Sequence, residues 1–277
     1  MQFHLPFTVI QFIWIMIFAS QLVLLVVLLG RDRCRRFPWF TASIVLSALR
    51  LLVAEMLFER MPLIPYNAIS LSLACLAVLV SLAVLVELGR LIYCDSSRRN
   101  WLISAVGLFA VGGSSVASWG PWPTWQNLNL QTQIGVLRGM QLAAVKGELL
   151  VAIVALALAF FLVCTRRGGG VGVGAKGVGG RYHPQRILLG ISTYSIALIA
   201  TLALRQWIAL SANSHPLSHA EFERIQDLME RLTNVPYTVL IPVQIWWIYS
   251  LWTDEPGTTM PGAEANAEAA SAIRSSL

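Results

Sequence analysis

The sequence predicts an all-α fold: a polytopic membrane bundle of seven transmembrane helices, with the N-terminus outside and the C-terminus cytoplasmic. Three observations lead there. Hydrophobic residues make up 56% of the chain and charged residues 12%, about half the ~25% that a water-exposed surface uses. Apolar stretches long enough to cross ~30 Å of hydrocarbon recur from end to end. Basic residues gather in every second connection between those stretches, the pattern of cytoplasmic loops.

The first stretch, Phe7 to Gly30, follows a leader from Met1 to Pro6 without Lys or Arg. A cleaved signal peptide needs a positive n-region, so this span is expected to be retained. Arg31, Arg33, Arg35 and Arg36 follow it, and the second span runs from Trp39 to Phe58. The third, Ile64 to Tyr93, is long enough to tilt or project, and Arg98 and Arg99 come after it. The fourth, Trp101 to Ser118, is short and leads into Trp119, Trp122 and Trp125, residues suited to a membrane interface.

The fifth span, Gly139 to Cys164, is followed by the most basic loop, with Arg166, Arg167, Lys176, Arg181 and Arg186. Its glycine-rich part, Gly168 to Gly180, lacks the Gly-Lys-Ser/Thr of a phosphate loop and reads as a flexible tether. The sixth span is Ile187 to Ile208. Ser218 and Glu221 then form a capping box for a helix over His219 to Leu232, whose Phe222, Ile225, Leu228, Met229 and Leu232 recur at helical spacing. That helix is expected along the outer interface or over the bundle mouth, ahead of a seventh span, Pro236 to Trp252. Residues 1–253 thus form one membrane domain, and 254–277, rich in Ala, Glu, Gly, Ser and Thr, a disordered cytoplasmic tail.

The remaining loops fit this alternation. Glu59 offsets Arg60, and Arg224 and Arg231 sit among Glu221, Glu223, Asp227 and Glu230. Cys34, Cys94 and Cys164 fall at cytoplasmic ends and Cys75 within the third span, so no exported disulfide is expected. The net charge of +6 is spread between spans. It points to the lipid bilayer and to anionic lipids at the basic loops, with a membrane-protein partner, rather than to nucleic acid.

Ionisable residues inside spans are the candidate site. Helix rise puts Arg50 about 18 Å from the cytoplasmic end of its span and Glu148 about 24 Å from that of its own. Lys146 and Arg205 come at a similar outer level, and Glu55 near the outer boundary. Arg50, Glu55, Lys146, Glu148 and Arg205, with Gln244 of the last span, form the expected intramembrane polar cluster. The sharper possibility is a cavity open to the outside, with Arg50 and Glu148 facing each other. The plainer one is structural pairing or snorkelling without a ligand. An arginine so deep needs an internal partner, Glu148 first and Gln244 second. Glu87 and Arg90, near the inner face, are expected to snorkel.

Other chemistry is not indicated. Pro216 separates His215 from His219 and Glu223, so these do not share a helical face as metal ligands. His4 and His183 stand at span ends, which gives no bis-His haem site, and Lys146 is the lone lysine in a span, which gives no retinal site. No Walker, His-Glu-x-x-His or Gly-x-Ser-x-Gly pattern occurs, so no catalytic residues and no cofactor are expected.

The segment Arg35-Arg36-Phe37-Pro38-Trp39-Phe40-Thr41-Ala42, with the pattern of spans, resembles uncharacterised bacterial seven-helix membrane proteins. The resemblance implies a bacterial cytoplasmic (inner) membrane and carries no activity. A sensor or partner-binding module with an outward-facing polar cavity is the favoured function. A transporter or channel is the alternative and would show an internal repeat and broken helices, of which only Pro242 and Gln244 offer a trace. A lipid-acting enzyme comes third, lacking a His, Asp or Glu constellation.

Overall fold

A computed structural model describes residues 9–58, 60–92, 107, 110, 112–114, 116, 132–168, 182–213 and 219–253. The fold is all-helical, with no strand among the described residues. In chain order the helices are α1 (Val9–Gly30), α2 (Pro38–Phe58), α3 (Leu63–Ile92), α4 (helical at the described residues 107, 110, 112–114 and 116), α5 (Gln133–Gly168), α6 (Tyr182–Asn213) and α7 (His219–Trp252).

These helices are apolar on the inside and the outside alike. Leu24 and Leu28 of α1 are fully buried, whereas Val26 is 67% and Leu29 63% exposed on the same helix. Leu79 of α3 and Phe160 of α5 are likewise exposed. A helix in water hides its apolar stripe and shows a polar one; an apolar outer face requires lipid. Among the described residues, five helices are long and apolar enough to cross a membrane, over Gln11–Gly30, Pro38–Leu57, Leu63–Ile92, Gln133–Val163 and Tyr182–Ala212. The chain is a multipass integral membrane protein. The apolar part of α7, Pro236–Trp252, falls short of the ~20 residues of a full span and is preceded by a charged half.

The helices close a ring. α1 packs on α2, α2 on α3, α3 on α5, α5 on α6, α6 on α7, and α7 back on α1, with α3 also touching α6 across the ring. Small residues allow close approach: Gly147 of α5 lies against Val78 of α3, Gly190 of α6 against the indole of Trp247, and Gly112 of α4 against Leu150 and Val154 of α5. One end of the ring is filled by an apolar cluster that includes Phe37, Phe40, Leu85, Leu88, Ile187, Leu188 and Leu251.

Two local devices fix the turn from α1 to α2. Asp32 adopts φ 51°, and the Arg33 amide donates to the Leu28 carbonyl at 2.9 Å while the Asp32 amide donates to Leu29 at 3.1 Å. These paired bonds make a Schellman motif, which satisfies carbonyls the helix end would orphan. The free amides at the start of α2 are met from another helix: the Glu87 carboxylate of α3 accepts from Trp39 N at 3.3 Å and Phe40 N at 3.1 Å. Glu87 therefore does not snorkel. It turns to the start of α2, where a carboxylate is favoured by the positive end of that helix.

The separate outer helix before the last span is also corrected. α7 runs unbroken from His219 to Trp252 through Pro236 and Pro242. Each proline removes one i→i−4 bond, a loss that packing of α7 against α1 and α6 offsets. The first half is helical in its own right, with an Arg231–Asp227 ion pair at 3.0 Å one turn apart. Phe222 and Leu228 of this half are exposed. Most of the fourth span, the glycine-rich tether, Ser218 of the capping box, the tryptophans from 119 to 125 and the tail lie outside the described residues.

Candidate functional site

α1 is an apolar helix interrupted by Ser20 and Gln21, and both side chains point into the ring, at 9% and 1% exposure. Gln21 Nε2 donates to Ser47 Oγ of α2 at 2.7 Å, and its Oε1 has no partner. Whichever way that amide is turned, one of its polar ends stays unmatched. The Ser20 hydroxyl has two acceptors in reach, the Ile17 carbonyl at 2.8 Å and Gln244 Oε1 of α7, and a single proton for them. Turning the Gln244 amide so that its NH2 faces Ser20 satisfies all three groups.

This polar layer borders two adjoining cavities inside the ring. The first, of about 220 Å³, is floored by Phe40 and Trp247, whose rings meet edge to face at 5.3 Å. The second, of about 430 Å³, lies toward the end where α1 begins and α2 ends, with Trp14, Tyr66 and Tyr237 in its wall. The rings of Trp14 and Tyr237 are 5.7 Å apart. Gln21, Ser47, Arg50, Glu148 and Tyr194 belong to both cavities.

Arg50 and Glu148 act on each other electrostatically across this boundary, and Tyr194 and Tyr237 lie within the field of both. An arginine and a carboxylate inside apolar spans hold their charges only with such company. Arg205 of α6 joins them in the wall of the second cavity and Gln244 in that of the first. Gln244 meets Ser20 across the α1–α7 contact and shares the wall of the first cavity with Arg50.

Glu55 and Lys146 stand apart from this group. Neither lines either cavity, and Glu55 is exposed. Helix geometry explains why: five residues beyond Arg50 is a turn of about 140° around α2, and two residues before Glu148 is about 200° around α5. A nearby level along the helix axis does not mean a shared face. Sequence reasoning also passed over Gln21, Ser47, Tyr194 and Tyr237. The Ser20–Gln21 pair inside the apolar α1 was a usable signal, whereas a tyrosine or serine within a span is too common to stand out.

The opposite end of the ring is basic and aromatic. Arg33 contacts the Nε2 of His183, a side chain only 1% exposed, and donates to the Thr253 carbonyl at 2.9 Å. The Arg31 guanidinium stacks over Trp252 at 5.1 Å, and that of Arg186 over Tyr182 at 4.1 Å and Trp246 at 4.8 Å. These contacts tie the α1–α2 turn to the start of α6 and the end of α7, and they close this end of the bundle.

Compared with known protein families, curated proteins and solved structures, the chain matches none.

Proposed function

We propose that this protein is a membrane sensor or binding module that holds a small polar molecule in the cavity inside its ring of helices. The observation that carries the reading is that Arg50 and Glu148, which act on each other electrostatically, both line the two cavities, beside a buried amide end with no partner. Pockets that take small ligands are mostly apolar, with a few convergent polar groups, and this one has that character.

The reading includes seven spans with α4 and α7 among them, the N-terminus outside, and a bacterial cytoplasmic membrane of the kind the Arg35–Ala42 segment suggests. The basic end then faces the cytoplasm, where Arg31, Arg36 and Arg186 attract anionic lipid and a membrane-protein partner can dock. The second cavity faces outward. A binding module is favoured over a channel because the edge-to-face Phe40–Trp247 pair and the apolar cluster behind it separate the cavities from the basic end.

Side-specific labelling tests this. In a variant without native cysteines, Ser47→Cys should react with a membrane-impermeant thiol reagent added outside and not with reagent added inside. Labelling from both sides would favour the transporter. Labelling from neither would leave the cavity as a packing defect. Reporter fusions after Tyr93 and Cys164 should report cytoplasm and one after Ser118 the exterior.

A further inference from the structure

We propose that the second cavity takes a small organic monocarboxylate, with Arg205 supplying the charge that holds it. The proposal rests on the reading of the cavity as a ligand site and names the class of ligand. Charge is the first argument. The wall sets two guanidiniums, Arg50 and Arg205, against the one carboxyl group of Glu148 among its described residues. Glu148 acts on Arg50. Arg205 has no carboxylate partner among the described residues, so the cavity carries one positive charge in excess. A guanidinium cannot shed its proton to relieve this. A monoanion neutralises the excess, a dianion overshoots, and a cation is repelled.

Shape gives the second argument. The wall draws on α1, α2, α3, α5, α6 and α7, so the space lies inside the ring and is not a groove between one helix and lipid. That favours a soluble anion over the headgroup of a lipid. At about 430 Å³ it falls within the ~300–1,000 Å³ of small-molecule pockets. The rings of Trp14 and Tyr237 offer an apolar face for the body of the ligand. Turned so that its Oε1 accepts from the Ser47 hydroxyl, the Gln21 amide, on the same wall and 1% exposed, leaves its NH2 free to donate to a carboxylate.

The test uses the full chain in phosphatidylcholine nanodiscs, with thermal unfolding as readout and benzoate as probe. Benzamide and benzylamine serve as neutral and cationic counterparts of similar shape. Benzoate should raise the melting temperature saturably and the other two should not. Arg205→Gln should weaken benzoate about 10- to 100-fold, the range of a charge-assisted hydrogen bond. Arg205→Lys, which keeps the charge if the glutamine variant folds poorly, should retain most of the effect. Glu148→Gln should tighten benzoate, and Arg224→Gln, on the exposed half of α7, should change nothing. If benzamide or benzylamine stabilises as well as benzoate and Ser47→Trp abolishes it, the cavity binds ligands and the monocarboxylate assignment is wrong. If no probe stabilises, the assignment and the ligand-site reading fall together. If phosphatidylglycerol alone gives the stabilisation, and Arg205→Gln removes it, the anion is a lipid headgroup and the proposal is overturned.

Discussion

Asp32 carries the left-handed turn between α1 and α2 at φ 51°, a conformation in which its Cβ crowds the following carbonyl. Glycine meets no such crowding. What Asp32 offers in return is an ion pair to Arg35 at 3.5 Å, with both side chains largely exposed, and such pairs are worth little. Asp32→Gly should therefore stabilise the protein by about 0.5 kcal/mol, read as a rise in melting temperature in detergent. A fall would mean that the Arg35 contact outweighs the backbone term. Residues of this kind were only partly legible in the sequence. Helix rise puts Arg50 and Glu148 at nearby levels, and both line the same two cavities. Which way Glu55, Lys146 and Glu87 point is a matter of rotation about the axis, and Glu87 turned to the start of α2 because the amides of Trp39 and Phe40 needed an acceptor.

At the scale of the helix, length and apolar content were legible and contact faces were not. The ends of α1, α2 and α3 match their apolar runs, whereas α5 and α6 extend beyond theirs into polar sequence that continues the helix. The continuity of α7 was hidden by Pro236 and Pro242, which normally mark helix boundaries and here are tolerated within a packed bundle. Close packing of α3 on α5 depends on Gly147, where an added Cβ would stand 2.5 Å from Val78 Cγ1. Gly147→Ala should destabilise by about 1–3 kcal/mol through overpacking. In a Val78→Ala background the two methyl collisions are removed and only the Val78 Cβ, at 3.2 Å, stays close, so the same change should cost less, by about 1 kcal/mol or more, helped by alanine being the better helix former. Equal losses in both backgrounds, measured as detergent melts, would show that something other than the Val78 contact requires glycine.

At the scale of the molecule, the ring order of the helices joins residues far apart in sequence, and no hydropathy pattern announces it. Ring closure through α1 and α7 brings Ser20 to Gln244, and the packing of both α2 and α5 on α3 brings Arg50 within the field of Glu148. If that pair holds the charges in the bundle, Arg50→Met leaves Glu148 uncompensated and Glu148→Leu leaves two guanidiniums without a carboxylate. Each single change should cost about 2–3 kcal/mol, below the ~3–5 kcal/mol of a fully dry pair because both groups face a cavity with room for water. The double variant, with an apolar side chain at each position, should lose less than the two singles together by about 1–2 kcal/mol. A cycle in melting free energies measured in one detergent gives that coupling directly. Strictly additive losses would mean that Arg50 and Glu148 are each satisfied separately, by water or by Tyr194 and Tyr237, and that the polar interior is a set of independent sites instead of one charge pair spanning the ring.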